Sequence, residues 1–372
     1  MLSPIFDPRN WAAVPFHFWS VVFFAFGCIV GSFLNVCIYR LPLGQSVISP
    51  PSHCPNCQYS IPWYLNIPLV TWLSLRGKCR NCGAPISLRY FLVELLTGVT
   101  FMGCWLAFGR QSPAMTLIYG IFLAGLIAAT FIDLEHFIIP DEITIGGMVV
   151  GFAGSFLVPA LQQQSSLTAA MRESLLGLGV GAGVVYSILR LGKLFFGRQK
   201  LALPVDTKIV FGETALQLPD RVILYEDLFY RPSDVIALQA RTVELVDRCY
   251  KDVQVRLTTG CLQIGEEKIN PEQVPLLEAV SSELVLPREA MGLGDVKFMG
   301  AIGAFLGWQA VIFSLVVSSF VGALVGLSLV LAGKRALSSR LPYGPYIALA
   351  AALWVFAGRD VVAWYVRLFG GR

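Results

Sequence analysis

Apolar residues in this chain gather into long runs, at roughly 17–37, 91–109, 114–132, 143–161, 174–196, 296–306, 309–332 and 343–366. At about 1.5 Å rise per residue, some 20 apolar residues cross the hydrocarbon core of a bilayer, so these runs predict membrane-spanning helices. The sixth run is short and needs a neighbour or a tilted entry to be buried. The pattern predicts an all-α polytopic membrane protein, a bundle of about eight transmembrane helices. The first run lacks a small-residue cleavage site and is followed by Tyr39-Arg40-Leu41-Pro42, which predicts a retained anchor.

The polar stretches orient the spans. Residues 38–90 carry Arg40, Arg76, Lys78, Arg80 and Arg89 without a single Asp or Glu, and basic loops stay on the cytoplasmic side. The N-terminus then faces outside. Eight alternating spans place 133–142, 197–290 and the basic Lys334, Arg335 and Arg340 in the cytoplasm as well. Residues 197–290 hold 15 of the 24 acidic and 11 of the 28 basic residues, the composition of a small soluble insertion. Within it, Arg221–Tyr225, Val253–Leu257 and Cys261–Ile264 alternate as strands, Thr258-Thr-Gly260 predicts a turn, and Ser233 to Cys249 reads as a helix, giving an inserted α+β domain. The predicted parts are 1–37, an outside N-terminus and first helix; 38–90, a cytoplasmic loop; 91–196, helices two to five; 197–290, the insertion; and 291–372, helices six to eight.

Composition narrows the class. Of 372 residues only 14% are charged, against roughly 25% in soluble domains, and the mean hydropathy is +0.66. A simple soluble enzyme is excluded. Aromatics at 12% exclude disorder, and a formal charge of +4 is too small for a nucleic-acid partner.

Two features carry chemistry. Cys54-Pro-Asn-Cys57 and, after 21 residues, Cys79-Arg-Asn-Cys82 are two pairs that can wrap one ion tetrahedrally, and four thiolates favour zinc. Such a closed set leaves no position for water, so the ion would hold the loop together. Two disulfides are the alternative, disfavoured by the cytoplasmic placement. His53 reads as a solvated neighbour. Cys28, Cys37 and Cys104 read as small packing residues of the spans, and Gly177, Gly179, Gly181 and Gly183 as helix-packing glycines.

The second feature is a pair of acids. Asp133, Glu135, Asp141 and Glu142 crowd the boundary after the third run, and Asp295 opens the sixth within Gly292-Leu-Gly294-Asp295-Val-Lys297. An Asp at the bilayer centre costs about 2.5–3.5 kcal/mol, less at an interface, so such acids usually serve a purpose. If the bundle joins Asp133 and Asp295, they share one proton. One carboxylate can then take a proton from water while its protonated partner polarises a scissile carbonyl. Gly292 and Gly294 would let a substrate backbone approach. The structural alternative is that Asp133 or Asp295 caps a following helix and Glu135 and Asp141 are solvated loop acids. Lys297 reads as an interface anchor or charge partner.

These residues, with Gly31-Ser-Phe-Leu-Asn35 through Pro42, Ile61 to Pro68, Arg89 to Glu94 and Tyr343-Gly-Pro345, resemble the bacterial type IV prepilin peptidases. Through the glycine-aspartate motif they also resemble the presenilin-like intramembrane proteases. The resemblance implies that Asp133 and Asp295 are the catalytic pair and that Cys54, Cys57, Cys79 and Cys82 form a zinc module. It further implies cleavage of basic leaders from prepilins and pseudopilins at the cytoplasmic face of the bacterial inner membrane, after Gly and before Phe. Methylation of the new N-terminus with S-adenosylmethionine is implied as well, the stretch around Arg89 and Glu94 being a candidate contributor. Residues 197–290 depart from the family's usual short connection and could recognise a pilus or secretion component. Two competing classes remain, a non-enzymatic membrane scaffold with a zinc loop and an ion-coupled transporter.

Overall fold

The computed structural model describes residues 11, 13–196, 198–225, 228–229, 234–245, 248–274, 276–287, 292–332 and 341–370. Contacts divide the chain into two units, residues 1–186 with 293–372, and residues 187–292. The predicted outside N-terminus lies almost wholly outside the described residues.

The first unit is helical. It comprises α1 (Phe16–Arg40), the short α2 (Val70–Ser74), α3 (Leu88–Phe108), α4 (Pro113–His136), α5 (Asp141–Leu157), α6 (Leu167–Phe196), α7 (Leu293–Leu306), α8 (Trp308–Leu331), α9 (Gly344–Leu353) and α10 (Arg359–Gly370). A π-helical turn at Trp354–Gly358 joins the last two. Local signals set the boundaries. Ser87 and Ser112 cap α3 and α4 by accepting the amides of Arg89 and Met115. Phe137, at φ +56°, ends α4 in a left-handed turn. Asp141 and Glu142 occupy the first turn of α5, where the helix dipole favours negative charge.

Six helices among the described residues are long and apolar enough to cross a membrane, at Phe16–Leu43, Leu88–Phe108, Pro113–His136, Leu167–Gly192, Trp308–Leu331 and Gly344–Leu368. The other two expected spans are shorter helices, α5 with 17 residues and α7 with 14. At 1.5 Å per residue α7 is only about 21 Å long. It is buried along nearly its whole length, because neighbours rather than lipid cover it. A Cβ on Gly151 of α5 would lie 2.9 Å from the Phe305 ring, and one on Gly177 of α6 would lie 2.1 Å from the Gly303 carbonyl oxygen. Small residues thus let the backbones close in, which is how membrane helices pack without a hydrophobic drive between them. Along α6, Gly177 and Gly181 make such approaches, while a Cβ on Gly179 or Gly183 would have no atom within 4 Å. The last carbonyls of α7 are satisfied from the side: Gln162 Nε2 donates to Ala304 O at 2.9 Å and Phe305 O at 3.2 Å, and the Ser174 hydroxyl donates to Ala304 O at 2.7 Å.

The α1 and α3 helices cross at Gly27 and Gly31. A Cβ on Gly31 would lie 2.7 Å from Cα of Glu94. Cys28 and Cys104 are buried and unoxidised, as packing residues should be. Farther along the same pair, the Trp105 ring stacks on Phe23 at 4.9 Å.

Beyond the end of α6, the described residues of the second unit form one antiparallel sheet in place of the expected α+β domain. Its strands are β1 (Arg198–Phe211), β2 (Ala215–Leu218), β3 (Arg221–Leu224), β4 (Ile236–Glu244), β5 (Cys249–Leu257), β6 (Leu262–Ile264), β7 (Glu267–Ile269) and β8 (Leu277–Pro287), in the order β3-β2-β1-β8-β4-β5-β6-β7. The expected strands and the Thr258 turn are present. The helix expected over Ser233–Cys249 is instead β4 where described. Ile236, Leu238 and Ala240 alternate into the core, and a sheet-central position between β8 and β5 outweighs the helix-forming character of Ala and Gln in this stretch.

Candidate active site and metal centre

The four-cysteine cluster is built from two matching knuckles. In each C-x-N-C segment, the first cysteine's carbonyl accepts from the residue after the second cysteine, as in Gln58 N to Cys54 O at 2.9 Å and Gly83 N to Cys79 O at 2.9 Å. Gln58 and Gly83 both have positive φ, which turns each knuckle back. The four sulfurs lie within 4.8 Å of one another. Cys54 Sγ and Cys82 Sγ are 3.8 Å apart, matching the edge of about 3.8 Å in a tetrahedron with zinc–sulfur bonds of about 2.3 Å. The donor set therefore fits a four-thiolate ion. Asn56 Nδ2 reaches Cys82 Sγ at 3.6 Å, and Asn81 Nδ2 reaches Cys57 Sγ at 3.5 Å, so each knuckle's Asn serves the other's sulfur. The backbone amide of Ala84, helped by Asn56, holds the Cys82 thiol down at about 6. Amides of Cys82 and Asn81 likewise lower Cys79. These are thiolate-stabilising surroundings. The third-position Asn recurs in both motifs, the signal by which the pair can be found. His53 stays outside the cluster, its Nδ1 2.9 Å from Pro51 O.

The first candidate acid, Asp133, is buried on the last turn of α4. Its Oδ2 accepts the backbone N–H of Gly344 at 2.8 Å. A Cβ on Gly344 would meet that same oxygen at 2.8 Å and the Ile139 side chain at 3.2 Å. Ile139, on the loop between α4 and α5, is also the neighbour of Gly294: a Cβ there would lie 3.4–3.6 Å from Ile139 atoms. Thus Asp133 meets Gly344, and Gly344 and the residue preceding Asp295 both border one isoleucine. Asp295 is half-buried in the first turn of α7, and Gly292 is exposed. The crowding expected at Gly294 is ordinary van der Waals contact. The position with no room for a side chain is Gly344.

Two ion pairs frame this region. Lys297 Nζ contacts both oxygens of Asp141, at 2.6 and 2.8 Å, tying α7 to the start of α5. Arg89, at the start of α3, pairs with Glu135, two residues beyond Asp133. Lys297 is thus the charge partner expected of it. Neither Gly344 nor Ile139 stands out by residue chemistry. Only the Tyr343-Gly-Pro345 series marks the first.

Comparison with known proteins identifies the family. Residues 25–108 match the Bacterial Peptidase A24 N-terminal domain, and residues 120–205 with 274–327 match the Type IV leader peptidase family, a match that passes over most of the inserted sheet. The chain belongs to the type IV leader peptidase family. It is 28% identical to the prepilin leader peptidase/N-methyltransferase of Aeromonas hydrophila over 96% of both chains. It is 39% identical to the type 4 prepilin-like proteins leader peptide-processing enzyme of Escherichia coli O78:H11, over 48% of this chain and 69% of that one. Identity rises to 45% with a prepilin leader peptidase/N-methyltransferase of Myxococcus xanthus, across 44% of this chain and 45% of its relative. No solved structure matches.

Proposed function

We propose that this protein is a membrane-embedded aspartyl endopeptidase that removes the basic leader from type IV prepilins and pseudopilins at the cytoplasmic face of the bacterial inner membrane, at a Gly-Phe junction. The observation that carries the reading is the series of contacts from Asp133 to Gly344, from Gly344 to Ile139 and from Ile139 to Gly294, next to Asp295, in a chain whose relatives bear the prepilin peptidase name.

In the proposed reaction one ionised carboxylate of Asp133 and Asp295 takes a proton from water as the water oxygen attacks the scissile carbonyl carbon. The protonated partner hydrogen-bonds the carbonyl oxygen and stabilises its developing charge. Collapse of the tetrahedral intermediate breaks the C–N bond, and a proton passes to the leaving amine, the new N-terminus of the pilin. The Gly344 N–H holds one Asp133 oxygen as an acceptor, leaving Oδ1 to handle water and the shared proton.

The four cysteines are proposed to hold zinc, which would organise the loop between α1 and α3 and take no part in hydrolysis. In the proposed topology α5 and α7 join the six longer helices as the seventh and eighth spans of the bundle. We further propose that the new amine is methylated with S-adenosylmethionine, which when bound supplies a sulfonium methyl group: the amine gains the methyl and loses a proton, and a neutral thioether remains. Cleavage of a leader-bearing prepilin by purified protein, wild type against Asp133→Asn and Asp295→Asn, tests the peptidase reading.

A further inference from the structure

The described residues of α1 and α3 enclose polar groups that peptide hydrolysis leaves unused. Asn35 is 2% exposed. Its Nδ2 donates to Tyr90 O at 3.0 Å, while its Oδ1 is buried with no hydrogen-bond partner. A buried acceptor left unmade costs about 1–3 kcal/mol, so native structures seldom keep one without a use. One turn away on each helix, Gly31 lies against Glu94. Gly31 and Asn35 share a face of α1, and Tyr90 and Glu94 share the facing side of α3, so Asn35 and Glu94 belong to one polar patch.

Glu94 is half-buried, and no Lys, Arg or His pairs with it among the described residues. Its Oε2 accepts the Leu69 amide at 2.7 Å. To present that amide, Leu69 adopts φ +61° and ψ −48°, closed by a 2.6 Å bond from Val70 N to Pro68 O. This γ-turn is rare and strained for a residue with a side chain, and such strain persists where the surroundings over-determine it, often at ligand sites. The patch therefore combines an anionic group without a cation and a buried acceptor without a donor. The chemistry that complements both is a positively charged group carrying N–H donors.

We propose that this patch, Asn35 and Glu94, binds the ammonium group of S-adenosylmethionine. The inference rests on the methylation reading given above. A second observation concerns place: Arg89 begins the turn of α3 that precedes Tyr90 and Glu94, and it is paired with Glu135 just beyond Asp133. The patch thus connects through one ion pair to the helix end where the new amine would be released.

The test is equilibrium binding of radiolabelled S-adenosylmethionine to the full chain in lipid nanodiscs without prepilin, repeated with S-adenosylhomocysteine, which keeps the ammonium but lacks the sulfonium charge. Glu94→Gln and Asn35→Ala should each weaken binding of S-adenosylmethionine by about tenfold or more, the scale of hydrogen bonds to charged groups. Thermal midpoint and metal content check that the variants are folded. Asn35→Asp, which adds a charge at constant shape, should strengthen binding of both S-adenosylmethionine and S-adenosylhomocysteine, since both carry the ammonium, and keeps the test decisive if Glu94→Gln unfolds the Leu69 turn. Wild-type affinity in folded Asn35→Ala and unchanged affinity for both compounds in Asn35→Asp would overturn the placement. Failure of the wild type to bind S-adenosylmethionine would instead overturn the methylation reading, and this placement with it.

Discussion

The backbone N–H of Gly344 donates to Oδ2 of Asp133 at 2.8 Å, and a Cβ on Gly344 would stand 2.8 Å from the same oxygen. The hydrogen bond and the absence of a side chain are one requirement, since a methyl group there would push away the carboxylate that the amide holds. Tyr343 steadies the donor, its hydroxyl lying 2.9 Å from both Ser318 and Ser319 on α8.

Gly344→Ala should therefore lower prepilin cleavage by about tenfold or more, the effect of displacing a reacting group by a fraction of an ångström. Gly294→Ala, whose Cβ meets Ile139 at ordinary contact distance, should cost less, and Gly294→Val more than Gly294→Ala. Turnover numbers on one prepilin substrate check the ranking. Equal losses at Gly344→Ala and Gly294→Ala would refute the part given to Gly344.

Asp133→Asn and Asp295→Asn should each remove nearly all cleavage, about a thousandfold or more, because the acid and base act as a unit. Glu135→Gln should be milder. The wild-type rate should be bell-shaped in pH, rising as one carboxyl of the pair ionises and falling as the second does. Substantial cleavage by either Asn variant would rule out the two-carboxylate assignment.

Lys297 and Asp141 form a pair that is largely exposed, with side chains 39% and 57% accessible. A pair of this kind contributes about 0–1 kcal/mol to stability, so its effect should be on position. Lys297→Met should leave the thermal midpoint nearly unchanged while reducing kcat more than it raises KM, and Lys297→Arg should recover part of the loss. A change confined to KM would argue instead that Lys297 contacts substrate.

Purified protein should carry about one zinc per chain by elemental analysis, and replacing Cys54 together with Cys79 by Ser should release it. Asn56→Ala and Asn81→Ala should each speed zinc loss to a chelator, because each Asn supports a sulfur of the opposite knuckle. Full zinc content in the double cysteine variant would exclude this site.

Much of this protein is determined by short-range pattern. Apolar run length predicts the six long helices, because crossing a bilayer is a matter of counting residues. The C-x-N-C spacing predicts the cysteine cluster, because each half of the tetrahedron is a local turn. Alternation predicts the hairpin at Thr258. What only the tertiary structure decided depends on residues far apart in sequence. α5 and α7 fall short of full-length spans yet are helices, because α6 and each other's small residues cover them. Ile236–Glu244 is a strand because it lies between β8 and β5, a position its own side chains do not announce. Gly344, 211 residues from Asp133, becomes its hydrogen-bond donor only because α9 starts beside the end of α4. A backbone amide has no side-chain identity to read, so packing alone could reveal that partnership.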